Sequence, residues 1–181
     1  MAHGLPLAAR VFIGTSLDGF IARPDGDLEW LTSRGAAAEG DLGYGEFMAG
    51  IDTVVMGRVS YETVIGFGEE NWPYQGKHVA VLSTRLPADA DARITVHRSM
   101  EELLEALVER GSKVVYADGG QVVREFLRAG LVEEMTISTV PVLIGAGLPL
   151  FGEREGDLAL RLRSVRDAGG GIVQTVYAVD R

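Results

Sequence analysis

Apolar residues gather along this chain in short runs, and the runs are separated by segments with helical spacing. Val11-Phe12-Ile13 opens the series, and Thr53 to Met56, His78 to Leu82, Arg93 to Val96 and Lys113 to Ala117 follow, each bounded by turn residues as buried strands are. Between them Leu103, Leu104 and Leu107 recur at helical intervals behind the capping-box sequence Ser99-Met100-Glu101-Glu102, and Val122, Val123, Phe126 and Leu127 recur behind Gly120. Strands alternating with helices predict a parallel sheet with crossover helices. After Gly130 the texture changes. Glu134 to Val140 is strand-like, Pro141 to Phe151 is a Gly/Pro loop, and Leu160 to Val165 with Ile172 to Val179 predicts a closing antiparallel pair turned by Asp167-Ala168-Gly169-Gly170-Gly171. No repeat or composition break interrupts the 181 residues, so a single domain over 1–181 is expected.

Charge and cysteine usage narrow the function classes. A formal charge of -9 repels nucleic-acid backbones and anionic membranes, so neither is an expected partner. The chain has no cysteine, which removes disulfides, thiolate catalysis and zinc-thiolate sites and fits a reducing cytoplasm. Met1 to Pro6 lacks the charged-then-apolar pattern of a leader, and no stretch approaches membrane-spanning length, so a cytoplasmic protein is expected. His3, His78 and His97 are too scattered to predict a metal site.

Chemistry concentrates at two strand-to-helix junctions, Val54-Val55-Met56-Gly57-Arg58-Val59-Ser60-Tyr61-Glu62 and Val115-Tyr116-Ala117-Asp118-Gly119-Gly120-Gln121-Val122-Val123. Each sets bare backbone amides and the positive end of a helix at one edge of the sheet, which is how protein backbone holds phosphate. There is no Walker lysine motif and no Gly-x-Gly-x-x-Gly, so the pair points to a dinucleotide gripped at its pyrophosphate outside a Rossmann domain. The competing reading of Gly57-Arg58 is a tight turn with a solvated arginine, and that of Ser83-Thr84-Arg85 is a polar turn before Pro87. Gly14-Thr15-Ser16-Leu17-Asp18 has the outline of a hydrolase nucleophile elbow. Asp18 stands where its last glycine belongs, and Pro24-Asp25-Gly26 follows where a helix is required, so a serine hydrolase is excluded.

Several segments in order resemble the dihydrofolate reductase-like superfamily, including the reductase domain of bacterial riboflavin biosynthesis. They are Ser16 to Ala22, Met56-Gly57-Arg58 with Ser60-Tyr61-Glu62, Val81 to Arg85, Asp118-Gly119-Gly120 with Phe126-Leu127, and Gly145 to Phe151. The resemblance implies an α/β fold with a mostly parallel sheet closed by a C-terminal antiparallel hairpin, and an NADPH-dependent reductase. It implies a cofactor site made of Ile21 and Ala22 at the nicotinamide, Gly57, Arg58, Val59 and Ser60 at the phosphates, Leu82, Ser83, Thr84 and Arg85 at the adenosine end, and Gly119, Gly120, Gln121 and Val122 at the pyrophosphate. Thr15 to Ala22 would form a flexible loop over the nicotinamide. Ser60 would reach the phosphates or cap its helix.

Asp41, sixteen residues before Gly57, resembles the position of the superfamily's active-site carboxylate, although Gly40, Gly43 and Gly45 weaken the helix required and a solvated surface position is the alternative. Tyr44 and Glu46 are lesser candidates on that segment, and Trp30 is either core or a wall of the substrate pocket. Asp118 stands where the folate enzymes carry another glycine, as in the riboflavin branch, and Glu69-Glu70 stands where a folate tail would need a cation. The expectation is hydride transfer to a C=N or C=O bond of a small heterocyclic or carbonyl compound, such as a riboflavin-pathway pyrimidine. The alternative is a non-catalytic NADPH-binding sensor or scaffold. A homodimer is expected, since the riboflavin branch is typically dimeric.

Overall fold

The computed structural model describes residues 4–180; His3 lies outside them. The strands are β1 (Ala8–Ser16), β2 (Phe20–Ala22), β3 (Thr53–Gly57), β4 (His78–Leu82), β5 (Ile94–His97), β6 (Val114–Asp118), β7 (Val132–Val140), β8 (Leu148–Pro149), β9 (Leu160–Asp167) and β10 (Val173–Val179). The helices are α1 (Glu29–Gly35), α2 (Tyr44–Ala49), α3 (Arg58–Ile65), α4 (Met100–Arg110) and α5 (Gly120–Arg128). Eight strands form one sheet in the order β5-β4-β3-β6-β1-β7-β10-β9. All neighbouring pairs from β5 to β7 are parallel, and β10 runs antiparallel to both β7 and β9. This is the mostly parallel sheet with a C-terminal hairpin that the apolar pattern predicts.

Two apolar layers sandwich the sheet. On one face Leu103 and Leu107 of α4 and Val122, Val123 and Phe126 of α5 pack on Val55, Val115, Ala117 and Met135. On the other, Met48, Tyr61, Trp72 and Tyr74 pack on Val54, Met56, Val79, Val81 and Tyr116. The capping sequence at α4 is half formed as drawn from sequence. Ser99 Oγ accepts from the Glu102 amide at 3.1 Å, whereas the Glu102 carboxylate reaches one residue further back, to the Arg98 amide at 2.8 Å.

One join in the sheet is short. β1 pairs with β7 from Ala9 through Ser16, yet it pairs with β6 only at Ala8, Ala9 and Arg10, opposite Val114, Val115 and Tyr116. Beyond Arg10 the two strands no longer pair, and the break lies toward the carboxyl-terminal edge. Open parallel sheets bind ligands outside the carboxyl-terminal ends of their strands.

Sequence pattern missed β2 and β8, which pair antiparallel through Phe20 with Pro149 and Ala22 with Leu148. This corrects the flexible-loop expectation for Thr15 to Ala22. Thr15 and Ser16 are buried in β1, the Leu17 amide donates to the Val142 carbonyl at 2.9 Å, and the Leu150 amide donates to the Gly19 carbonyl at 3.1 Å. The Asp18 carboxylate accepts from the Ile144 and Gly145 amides at 3.2 and 2.8 Å, so the segment is stitched to the loop opposite. Ser16 Oγ donates to Asp18 at 2.5 Å, which commits its proton to a turn rather than to nucleophilic chemistry. Among the described residues no helix is long and apolar enough to cross a membrane.

Candidate functional site

Parallel pairing aligns Met56 with Asp118 and Gly57 with Leu82, so the turns after β3, β6 and β4 leave the sheet side by side. They line one cavity of about 630 Å³. Gly57, Arg58, Val59 and Ser60 form one wall, Leu82, Ser83, Thr84 and Arg85 a second, and Gly119, Gly120, Gln121 and Val122 a third, with Ile21 at one end. The structure therefore brings together every expected cofactor residue but one. Ala22, which pairs with Leu148 of β8, is buried and does not line the cavity.

The two junctions touch. Gly119 has φ +86°, and a Cβ placed on it would lie 2.6 Å from Ser60 Oγ, so only glycine admits this contact. Gly57 is different: a Cβ there would meet no protein atom within 4 Å. Its missing side chain leaves space for an occupant of the cavity rather than for the protein's own packing. No side chain caps α3 or α5, so their first amides remain free to bind an anion. Ser60 thus does not cap α3; Gly57 holds that position, and the Ser60 hydroxyl instead sits against the neighbouring junction.

The second wall is braced from inside and outside. Ser83 Oγ accepts from the Arg85 and Leu86 amides at 3.1 and 3.0 Å, which leaves its own proton to give. Arg98 donates from Nη1 to the Ser83 and Leu86 carbonyls at 2.7 and 2.6 Å. Arg58 is partly committed, its Nη1 lying 2.6 Å from both oxygens of Glu62 one turn along α3. Four arginines, Arg58, Arg85, Arg98 and Arg124, line the cavity against one acid, Glu125. In a chain of net charge -9 this is a local reversal of sign.

Asp41 is not at this site. It is exposed, and its two oxygens accept from the Gly45 and Gly43 amides at 2.8 and 2.9 Å, which holds its carboxyl below the usual carboxylate range. α2 begins only at Tyr44, after Gly43 at φ +83°, so the glycines place Asp41 in the turn before the helix. Trp30 belongs to the core with Val140, Ala168 and Ile172, and Glu46 is exposed.

A different carboxyl stands at the second junction. Asp118 ends β6 beside Gly119, and burial pushes it up to about 6, against the Tyr116 hydroxyl and the Gly119 amide, which favour its charged form. It nevertheless keeps some solvent access. Around it stand Tyr116 from β6, Tyr44 from α2 and Tyr74 from the segment before β4. Burial and the Asp118 charge push Tyr44 up to about 12 and raise the other two as well, so all three remain neutral donors.

Residues 9–174 match the family described as the RibD C-terminal domain. The chain belongs to this family. Within 88% of this chain and 91% of the relative, it is 34% identical to the uncharacterized protein YwjB of Bacillus subtilis. The crystal structure of a putative riboflavin biosynthesis protein from Shewanella sp. PV-4 superposes with a TM-score of 0.83 at 34% identity, covering 97% of this chain and 100% of the other. Dihydrofolate reductase from Enterococcus faecalis, solved with NADP(H), shares the fold at a TM-score of 0.63 and 15% identity, with 98% of each chain covered. Family and fold together mark a reductase-type domain.

In this RibD C-terminal domain, sequence reasoning missed Arg98, Ser99 and Met100 at the start of α4, Arg124 and Glu125 on α5, and Leu148 and Pro149 of β8. A signal existed for the first three. The capping sequence that announces α4 follows a parallel strand, and that alone puts its start at the same edge of the sheet as the other two junctions.

Proposed function

We propose that this one domain is a cytoplasmic NADPH-dependent reductase acting on a C=N or C=O bond of a small heterocyclic or carbonyl substrate, a riboflavin-pathway pyrimidine being one such compound. The observation that carries the reading is the pair of uncapped helix starts facing a cavity with four arginines and one acid. That is a cradle for a small molecule with several negative charges. The cavity ends where Ile21 and Pro149 close on Gly120.

NADPH, when bound, supplies the hydride. The amides of α3 and α5 with Arg58 hold the pyrophosphate, and Ser83, Thr84 and Arg85 hold the 2′-phosphate. Ile21 and Pro149 exclude water from the reacting end. Asp118 gives the proton that completes reduction, its raised carboxyl suiting general acid work near neutral pH. The dihydrofolate reductase neighbour, solved with NADP(H), supports the cofactor class through fold alone. Exposed Glu69 and Glu70 oppose a folate tail, so dihydrofolate is a poor substrate.

Cofactor preference tests the cradle. NADPH should bind roughly 10- to 100-fold more tightly than NADH in a nicotinamide-fluorescence titration, because charged hydrogen bonds to the 2′-phosphate contribute about 1.5 to 3 kcal/mol. Arg85→Ala should narrow that gap. Equal affinities in the wild type would defeat the assignment. Stoichiometric NADPH binding with no oxidation on a panel of imines, carbonyl compounds and riboflavin-pathway pyrimidines would replace the enzyme by a binding protein.

The reading includes a homodimer built on β9. This edge strand is exposed along its whole length, with Leu162 and Val165 at 53% and 58% exposure, and a bare apolar edge favours pairing with another copy. Light scattering at micromolar concentration should report twice the monomer mass; a monomer alone would contradict it.

A further inference from the structure

β2 and β8 form a two-stranded sheet of their own, apart from the strand pairing of the main one. An arginine fastens it to α5. Arg124, on the second turn of that helix, donates from Nη1 to the Pro149 carbonyl at 2.8 Å and, over a longer 3.4 Å, to the Leu150 carbonyl. The approach is close, and two glycines make room for it. A Cβ on Gly120 would lie 2.8 Å from the Pro149 oxygen and 2.9 Å from Arg124 Nη1, and one on Gly152 would lie 2.8 Å from Arg124 Cδ. Ile21 shares the junction, its Cδ1 falling 3.2 Å from the same point on Gly120.

Arg124 is badly placed for α5 itself. Its side chain runs back to Gly120, so its charge lies at the positive end of the helix dipole, where no side chain caps the first amides. Glu125 does not offset it, because that carboxylate accepts from Arg128 Nη1 at 2.6 Å. The carbonyls that hold Arg124 carry no charge. A guanidinium has five N–H groups, of which Nη1 supplies two, so the Nε and Nη2 hydrogens are left to give. Arg124 also lines the cavity, together with Gly120, Ile21 and Pro149. We infer that Arg124 is a positioning residue whose guanidinium joins a phosphate-bearing ligand in the cavity to the Pro149 carbonyl of β8, coupling occupancy of the cavity to the seating of β2 and β8 over its closed end.

The inference rests on the reading of the cavity as a seat for NADPH, and it adds a direction to the coupling. Without an anion, the guanidinium sits against free helix amides that repel it, and its hold on Pro149 is weakened. A phosphate removes the conflict, since the amides and the guanidinium both attract it. The effect is reciprocal, so whatever seats β8 also tightens the anion. Ile21 moves with β8 because Phe20 and Ala22, on either side of it, pair with Pro149 and Leu148. The reacting end therefore closes best on a loaded cavity.

Amide hydrogen exchange of the full-length protein, read by mass spectrometry, tests the coupling without a known substrate. Peptides covering residues 17–22 and 143–152 report on the small sheet, where the Leu150 amide is held by the Gly19 carbonyl. Saturating NADPH, or inorganic pyrophosphate as charge without nicotinamide, should slow exchange there roughly tenfold in the wild type, within the usual range of coupling between sites. Arg124→Gln removes the charge, so each probe at saturation should slow the same peptides less than about twofold. Arg124→Lys restores the charge without the fork and should recover part of the slowing. Full slowing in Arg124→Gln, or no recovery in Arg124→Lys, overturns the inference. So does a wild type in which neither probe slows exchange. If pyrophosphate slows exchange through Arg124 while a fluorescence titration finds no NADPH bound, the coupling stands and the NADPH reading falls. Gly152→Ala covers the case in which Arg124→Gln does not fold: it keeps the arginine but crowds its stem, and should lose the slowing too. Full slowing in Gly152→Ala overturns the inference.

Discussion

Replacing Asp118 by asparagine should cut turnover roughly 100- to 10,000-fold on whichever compound the wild type reduces, the range a positioned general acid contributes. NADPH affinity should stay close to that of the wild type, because Asp118 does not line the cofactor cavity. The wild-type rate should fall as pH rises above about 6, since the donor must be protonated, and the variant should lack that limb. Stability moves the opposite way. The folded carboxyl is raised above its ordinary 3.8, so its favourable contribution is present below that value and lost as pH rises through about 6. At pH 8 the wild type therefore carries a buried charge costing about 2 to 3 kcal/mol that Asp118→Asn does not. Thermal melts at pH 8 should show the variant more stable and less active. A variant that loses both has merely misfolded, and one that keeps full turnover removes Asp118 from the chemistry.

The two junction glycines should separate binding from folding. At Gly57 an added Cβ meets no protein atom within 4 Å, and φ is an ordinary -81°. Gly57→Ala should leave stability within about 0.5 kcal/mol of the wild type, as for an unencumbered surface change. It should nonetheless weaken NADPH at least roughly tenfold, because the methyl group enters the space where phosphate must approach the amides and costs their charged hydrogen bonds. At Gly119 the positive φ and Ser60 Oγ both resist a side chain. Gly119→Ala should lose about 1 to 3 kcal/mol of stability as well as cofactor binding. Denaturant melts beside fluorescence titrations measure both. Undiminished NADPH binding by Gly57→Ala would mean that nothing approaches that wall.

Legibility in the sequence followed the length of the signal. β3 with α3 and β6 with α5 were readable because three and four consecutive apolar residues, a glycine and a helical repeat coincide. β2 and β8 span three and two residues and carry no periodicity, so their pairing exists only in the tertiary structure. Asp41 was placed by counting back from Gly57, a count that assumed helix where Gly40 and Gly43 bend the chain at φ +65° and +83°. Asp118 was visible as a departure from glycine. Its chemistry was not, because the groups that bury it, Tyr44 and Tyr74, arrive from segments more than forty residues away in the chain.

The short pairing of β1 with β6 also has a mechanical meaning. The strands β5-β4-β3-β6 and β1-β7-β10-β9 are two stiff plates, fastened along their common border by three residue pairs at one end. Plates fastened this way rock about the fastening sooner than either one bends. The three walls of the cavity all follow strands of the first plate, whereas Ile21 lies in β2, which follows β1 of the second. A molecule lying across both acts as a strut. It stiffens the protein most where the sheet itself is weakest, so its loss loosens the gap between the plates before it loosens either plate.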